Sequence, residues 1–170
     1  MHPRVITAAL TFSLVLVYLL SACDGGGDAL HRIQSRGELT VATRNSPTTY
    51  YIDRDGPNGF EYALAGLLAA DLGVDLKIEP AFTLEGLFQL LNRGEADLAA
   101  AGLTLTQQRA ALFPHSSAYY KLRPQVVYVA GTRRPLSVED LPGRNIVILA
   151  DSSHAGELAR LRDESAPQLK

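Results

Sequence analysis

Strand-like and helix-like segments alternate between Glu38 and Ala101, and this alternation restricts the possible fold more than any other feature. Residues 38–43 form the first strand-like segment, residues 74–79 alternate between apolar and polar side chains, and residues 97–101 are mostly small and apolar. Leucines at helical spacing fill both intervals between these segments. The pattern predicts an α/β fold, with helices on both faces of a mostly parallel sheet.

Start and stop residues set the predicted limits of the helices. Asp28 can cap a first helix that Gly37 ends, and Thr83 can cap a third one. The second helix is predicted to end at Gly73, and its apolar residues at helical spacing are Phe60, Leu64, Leu67, Leu68 and Leu72.

The loop after the third predicted strand, within residues 99–109, has the composition of an anion site. It contains Gly102, Thr104 and a single arginine, Arg109. A guanidinium fork fits a carboxylate bidentately, and hydroxyl groups add further hydrogen bonds. The alternative is a surface helix that begins at Thr106 and carries a solvated arginine.

The loop after the first strand is expected to face the same crevice, because ligands bind at the carboxyl ends of parallel strands. Tyr50 and Tyr51 follow the first strand, and one of them is expected to form a wall of the pocket. Their alternative is packing on the rim of the domain. Ser152 and Ser153 precede a predicted last helix, where they either cap it or form a second anion site at its N-terminus.

The later part of the chain predicts further strands. Residues 125–129 form one apolar run, residues 131–135 a polar crossing, and residues 136–143 a short turn or helix. The apolar residues 145–149 are expected to open a second sheet.

The N-terminus predicts an exported lipoprotein. Residues 1–22 have a positive start and an apolar core, as in a signal peptide, and they end before Cys23. Leu20-Ser21-Ala22-Cys23 resembles a bacterial lipobox, which predicts that Cys23 carries lipid and that residues 23–29 form a flexible tether. The chain would then be anchored to the inner or outer membrane, on its periplasmic side. The alternative is an uncleaved anchor helix with an incidental cysteine.

Composition excludes several other functions. A net charge of -2 gives no basic excess for nucleic acid, and one cysteine among 170 residues excludes an internal disulfide framework. The four histidines have no metal-ligand spacing, so neither a metal site nor a cofactor is predicted. No paired-carboxylate, Ser-His-Asp or dinucleotide motif is present.

Several motifs, in matching order, resemble the bacterial extracellular solute-binding proteins that recognise polar amino acids. They occupy residues 36–41, 59–61, 94–97, 103–109 and 141–147. The resemblance implies a type II periplasmic-binding-protein-like fold in which Arg109 binds a ligand carboxylate and Thr104 adds a hydrogen bond. It also implies that Tyr50 or Tyr51 covers the ligand, while Ser152 and Ser153 meet the carboxylate from the second lobe.

One branch is more similar still, the N-terminal domain of the F-type membrane-bound lytic murein transglycosylases. Its motifs match residues 30–39, 46–51, 99–104, 119–128 and 134–136. This resemblance implies a non-catalytic module in peptidoglycan turnover that binds an amino acid or a muropeptide. Glu164-Ser165 matches the catalytic dipeptide of these enzymes, but a two-residue match outside its domain predicts no catalysis. The alternative function is a free-standing amino-acid-binding lipoprotein that serves the permease of an ABC transporter.

The expected organisation is a first solute-binding lobe over 30–130, a hinge crossing over 131–144 and the start of a second lobe over 145–170. Because only the start of a second lobe is expected, the chain resembles a truncated protein that lacks a C-terminal transglycosylase domain. We therefore expect exposed apolar surface and poor order after about Arg134.

Overall fold

A computed structural model describes residues 29–164 and confirms the α/β fold, with helices on a parallel sheet. Asp28, the expected cap of the first helix, lies outside the described residues. In chain order the elements are α1 (Ala29–Arg36), β1 (Glu38–Thr43), β2 (Tyr51–Asp53), β3 (Gly56–Asn58), α2 (Phe60–Leu72), β4 (Asp75–Pro80), α3 (Leu84–Asn92), β5 (Leu98–Ala99), α4 (Gln107–Leu112), a 3-10 turn (Val138–Asp140) and α5 (Ser153–Glu164).

β1 is the central strand of the three-stranded sheet, whose order is β4-β1-β5. It pairs in parallel with β4 along its whole length and with β5 at Val41 and Ala42. The chain leaves β1 toward β4 on one side and returns through α3 to β5 on the other. The strand order therefore reverses between β1 and β5, and the loops after these two strands flank the crevice where such sheets bind ligands.

The core lies on both faces of β1. Leu39 and Val41 pack on one face with Ile33 of α1 and the alanines of α2, whereas Ala42 packs on the other face with Leu87 of α3. Every residue of β1 after Glu38 is buried, including Thr40 and Thr43, as expected of a strand covered on both sides.

The face that α2 buries differs from the one marked by its large apolar residues. The buried residues of α2 are Glu61, Ala65 and Ala69, while Leu64 and Leu67 are 43% and 70% exposed. Glu61, Ala65 and Ala69 share one face because they follow each other at a spacing of four residues. Alanine brings the helix close to the sheet, so the bulky leucines lie toward its flanks.

The two strands predicted after α4 do not form. Residues 125–129 and 145–149 contain no strand, and Val127 and Val147 are each 93% exposed. Both segments have the composition of strands, but within residues 29–164 neither has a neighbouring strand with which to pair. An unpaired segment cannot satisfy its backbone N–H and C=O groups by sheet hydrogen bonds. A strand-like composition was therefore not sufficient to predict a strand at either segment.

The short turn expected within residues 136–143 is present as the 3-10 turn, and the last helix is present as α5. The proposed lobe and hinge boundaries stay predictions. Among the described residues, no helix combines the length and the apolar character needed to cross a membrane.

Gly59 is required by a close approach between the start of α2 and the loop after β1. Its φ is 132°, and a Cβ at this position would lie 2.3 Å from the Thr49 carbonyl oxygen. We expect Gly59→Ala to lower the free energy of unfolding by about 1–3 kcal/mol, from backbone strain and the clash. Urea unfolding followed by circular dichroism measures this loss.

Gly66→Ala is the matched control within the same helix. Its Cβ would meet Leu76 Cδ2 at an ordinary 4.0 Å, so the better helix propensity of alanine should stabilise the protein by about 0.5–1 kcal/mol. Equal effects of the two substitutions would contradict the proposed close approach.

The exposed segment 114–136 should be the first site of proteolysis, because within the described residues it forms no helix or strand. We expect brief trypsin treatment to cleave after Lys121 and Arg133 before it cleaves after Lys77 of β4. Mass spectrometry of the first fragments measures this order. Simultaneous cleavage at Lys77 would mean that both parts of the chain are equally protected.

Candidate functional site

A cleft of about 150 Å³ opens at the carboxyl ends of β1 and β5, between the loop after β5 and the start of α5. Five of the residues expected from the sequence line it together: Gly102, Thr104, Arg109, Ser152 and Ser153. The fold thus brings residues about 50 positions apart in the chain to one small space.

Arg109 is held in place by both chain segments that form the cleft. Its Nη1 donates to the Thr104 carbonyl oxygen at 3.0 Å, and its Nη2 donates to the Asp151 carbonyl oxygen at 3.1 Å. The guanidinium carbon lies 5.2 Å from the centre of the Phe88 ring, within cation–π distance. Partial burial lowers the pKa of Arg109, but a guanidinium keeps its charge in proteins.

Hydroxyl groups from both segments meet beside Arg109. Ser153 Oγ donates to Thr104 Oγ1 at 3.1 Å, which joins the start of α5 to the loop after β5. Ser152 Oγ accepts a hydrogen bond of 3.3 Å from the Ala155 N–H and so caps α5. Ser152 therefore serves as the cap, while Ser153 has its hydroxyl directed to the other side of the cleft.

Glu61 holds Gly102 in position. The sequence did not identify Glu61 as a site residue, because it was interpreted as one of the acidic residues common at the start of a helix. It is only 4% exposed, and its Oε2 accepts a 2.7 Å hydrogen bond from the Gly102 N–H. The Tyr119 hydroxyl donates to its other oxygen. Partial burial and the Glu61 carboxylate raise the pKa of Tyr119, so its hydroxyl stays protonated and remains a donor. The four-residue spacing of Glu61, Ala65 and Ala69 is the sequence feature that could have placed Glu61 on the buried face of α2.

The structure does not bring Tyr50 or Tyr51 to the wall of the cleft. Tyr50 packs against Tyr62 of α2, with ring centres 5.7 Å apart, and Tyr51 begins β2, paired with Asn58. The residue of the loop after β1 that does line the cleft is Arg44. Because Arg44 follows β1 directly, it remains at the sheet edge, whereas the loop has turned away before it reaches the tyrosines.

Cys23, the predicted lipidation site, lies outside the described residues. Within residues 29–164, no group of three or more histidine, cysteine or acidic side chains is arranged to hold a metal ion.

Residues 39–165 match the family of bacterial extracellular solute-binding proteins, family 3, and this match extends over most of the chain. The chain belongs to this family. Its fold is the type II periplasmic-binding-protein-like fold that was expected from the sequence.

This solute-binding chain is also similar to curated relatives named membrane-bound lytic murein transglycosylase F. It is 45% identical over 148 residues to the relative from Pseudomonas fluorescens, covering 86% of this chain and 30% of the relative. It is 48% identical over 136 residues to the relative from Ectopseudomonas mendocina, covering 79% and 28%. The similarity to this branch is thus confirmed, and the chain spans about 30% of the length of these relatives.

A solved structure supports the fold. A mutant of ArgBP from T. maritima is 28% identical, with a TM-score of 0.65 over 78% of this chain and 59% of that protein.

The hydrogen bonds of Glu61 predict a large effect on stability. Glu61→Ala would leave the Gly102 N–H and the Tyr119 hydroxyl without their charged acceptor, so we expect the free energy of unfolding to fall by about 1.5–3 kcal/mol. Urea unfolding measures the change, and Glu61→Gln should lose less.

Glu85→Ala is the matched control, since Glu85 also lies in the first turn of a helix but is exposed and bonds only to Gln89. Its loss should stay within about 0.5 kcal/mol. A loss for Glu61→Ala no greater than that of Glu85→Ala would show that Glu61 does not hold the loop.

Proposed function

We propose that the chain is a non-catalytic solute-binding module of a membrane-bound lytic murein transglycosylase. In this proposal its cleft binds a small carboxylate-bearing ligand, such as an amino acid or the peptide part of a muropeptide. The residues that bind the ligand are Arg109, Thr104 and Ser153, with Gly102 and Ser152 completing the wall.

The observation that carries the proposal is the way in which the Arg109 side chain is held at the cleft. Its side chain lies on Phe88 and bonds to two backbone carbonyl groups. Two of the five guanidinium N–H donors are used in these contacts, which leaves donors for a carboxylate. A fixed, partly desolvated guanidinium binds a carboxylate more strongly than a mobile surface arginine does.

The other side of the cleft adds weaker support. Ser152 and Ser153 lie at the N-terminus of α5, a helix of 12 residues, whose dipole favours a negative group. The cleft volume of about 150 Å³ is below the range of roughly 300–1,000 Å³ for drug-sized ligands. It suits a small acid, or the carboxylate end of a larger molecule.

A non-catalytic role agrees with the chemistry of the cleft. Hydrolytic or lytic cleavage of a glycan needs a carboxylic acid beside the bond, and no acidic side chain lines this cleft in the described structure. Glu164 lies at the end of α5, where it is exposed and forms an ion pair with Arg160.

Identity favours the transglycosylase over the transporter alternative. The relatives named transglycosylase F are 45% and 48% identical to the chain, whereas the ArgBP structure is 28% identical. The proposed location is the periplasmic side of the envelope, with a lipid anchor at Cys23. Reading the DNA beyond the codon for Lys170 would separate the two functions, since a lysozyme-like domain supports the first and adjacent permease genes support the second.

Arg109→Ala should weaken ligand binding by about 1.5–3 kcal/mol, or roughly 10- to 150-fold, because a charged hydrogen bond is lost. Titration calorimetry of the full chain in detergent, with L-glutamate and a muropeptide as ligands, measures the affinity. Arg109→Lys should bind with intermediate affinity, since it keeps the charge but loses the planar fork.

Arg54→Ala is the control, because Arg54 is exposed in the turn between β2 and β3, outside the cleft. Its affinity should equal that of the unmodified chain. Equal affinities of Arg109→Ala and Arg54→Ala would remove Arg109 from the binding site.

A further inference from the structure

The side chains around the cleft carry an unbalanced positive charge. Arg44 lines the cleft from the end of β1, Arg109 from α4 and His154 from the first turn of α5. In the described structure no aspartate or glutamate side chain is part of this lining. The cleft thus exposes two permanent positive charges to any ligand.

Neither arginine is neutralised by a carboxylate within residues 29–164. The carbonyl oxygen of Arg44 accepts a hydrogen bond from Thr49, but its guanidinium group has no hydrogen-bond or ion-pair partner there. The hydrogen bonds of the Arg109 guanidinium go to carbonyl oxygens, and the Asp151 contact is with the backbone.

Some other arginines of the same structure are, by contrast, paired with carboxylates. Arg36 pairs with Asp97, and Arg160 pairs with Glu157. A small cleft lined by arginines without carboxylate partners is electrostatically suited to an anion that carries more than one charge.

We propose that the cleft selects small dicarboxylates, and that Arg44 is the residue that determines this selectivity. The inference rests on the proposed function, in which Arg109 holds the first carboxylate. Arg44, which comes from a different loop, binds the second one. An ammonium group in the same position would lie near cations with no carboxylate to neutralise it, so the cleft disfavours a ligand that places an ammonium group where the second carboxylate would lie.

Three ligands of similar size separate these effects. Succinate has two carboxylates, propionate has one, and β-alanine has an ammonium group where succinate has its second carboxylate. We expect calorimetric titration of the full chain in detergent at low salt to give the order succinate, propionate, β-alanine. The affinity for succinate should exceed that for propionate by about tenfold or more, as for one added charged hydrogen bond.

Arg44→Gln tests the residue. It should reduce the affinity for succinate to that for propionate and leave the affinity for propionate unchanged, which also shows that the variant is folded. Arg54→Gln, a change at an exposed arginine outside the cleft, should leave all three affinities unchanged.

The possible failures are distinguishable. If propionate and succinate bind equally, or if Arg44→Gln leaves the succinate affinity unchanged, the inference is wrong while the proposed carboxylate site stands. If β-alanine binds as tightly as succinate, or inorganic phosphate binds more tightly, the selectivity for dicarboxylates is also wrong. If no carboxylate binds at all, the proposed function fails together with the inference.

Discussion

The burial of β1 on both faces is the constraint on which the described structure depends. β1 pairs with β4 and β5 at its two edges, and the cores on its two faces hold α1 and α2 on one side and α3 on the other. A parallel strand in this position must be buried along its length and must be followed by a crossover connection, which is usually a helix. The reversal of strand order next to β1 then creates the crevice at its carboxyl end, so the position of the cleft follows from the sheet.

A buried carboxylate links this sheet to the cleft. β5 has only two residues, and the loop that follows it would be poorly anchored by sheet hydrogen bonds alone. Glu61 supplies the missing contact, because its oxygens accept hydrogen bonds from the Gly102 N–H and the Tyr119 hydroxyl. Burying an ionised group without partners is costly, so Glu61 is tolerated at 4% exposure only because donors from two other segments reach it.

Local signals in the sequence predict the first part of the fold well. Gly37, Gly73 and Thr83 mark helix limits that the structure reproduces, because glycine in a left-handed conformation and a capping hydroxyl act through neighbouring residues only. Strand formation depends instead on a distant partner. That is why residues 125–129 and 145–149, which have the right composition, remain unpaired in the described structure.

The same distinction applies to the cleft residues. Thr104 and Arg109 could be predicted because their short loop follows a strand, and the direction of that strand fixes where the loop lies. Tyr50 and Arg44 lie in the same loop. The path of this loop places Arg44 at the cleft, whereas Tyr50 packs on Tyr62. That path depends on the contact between Gly59 and Thr49, which no local pattern reveals.

Under the proposed function, the contacts of Arg109 would connect ligand binding to the junction between the loop after β5 and the start of α5. The side chain is positioned before a ligand arrives, by Phe88 and by the carbonyl oxygens of Thr104 and Asp151, so little rotamer entropy remains to be lost on binding. A carboxylate can bind the remaining N–H donors without displacing the Asp151 carbonyl group. Ligand binding and the attachment of α5 are therefore compatible. A ligand that binds only when α5 is attached to the loop after β5 would stabilise this attachment by mass action.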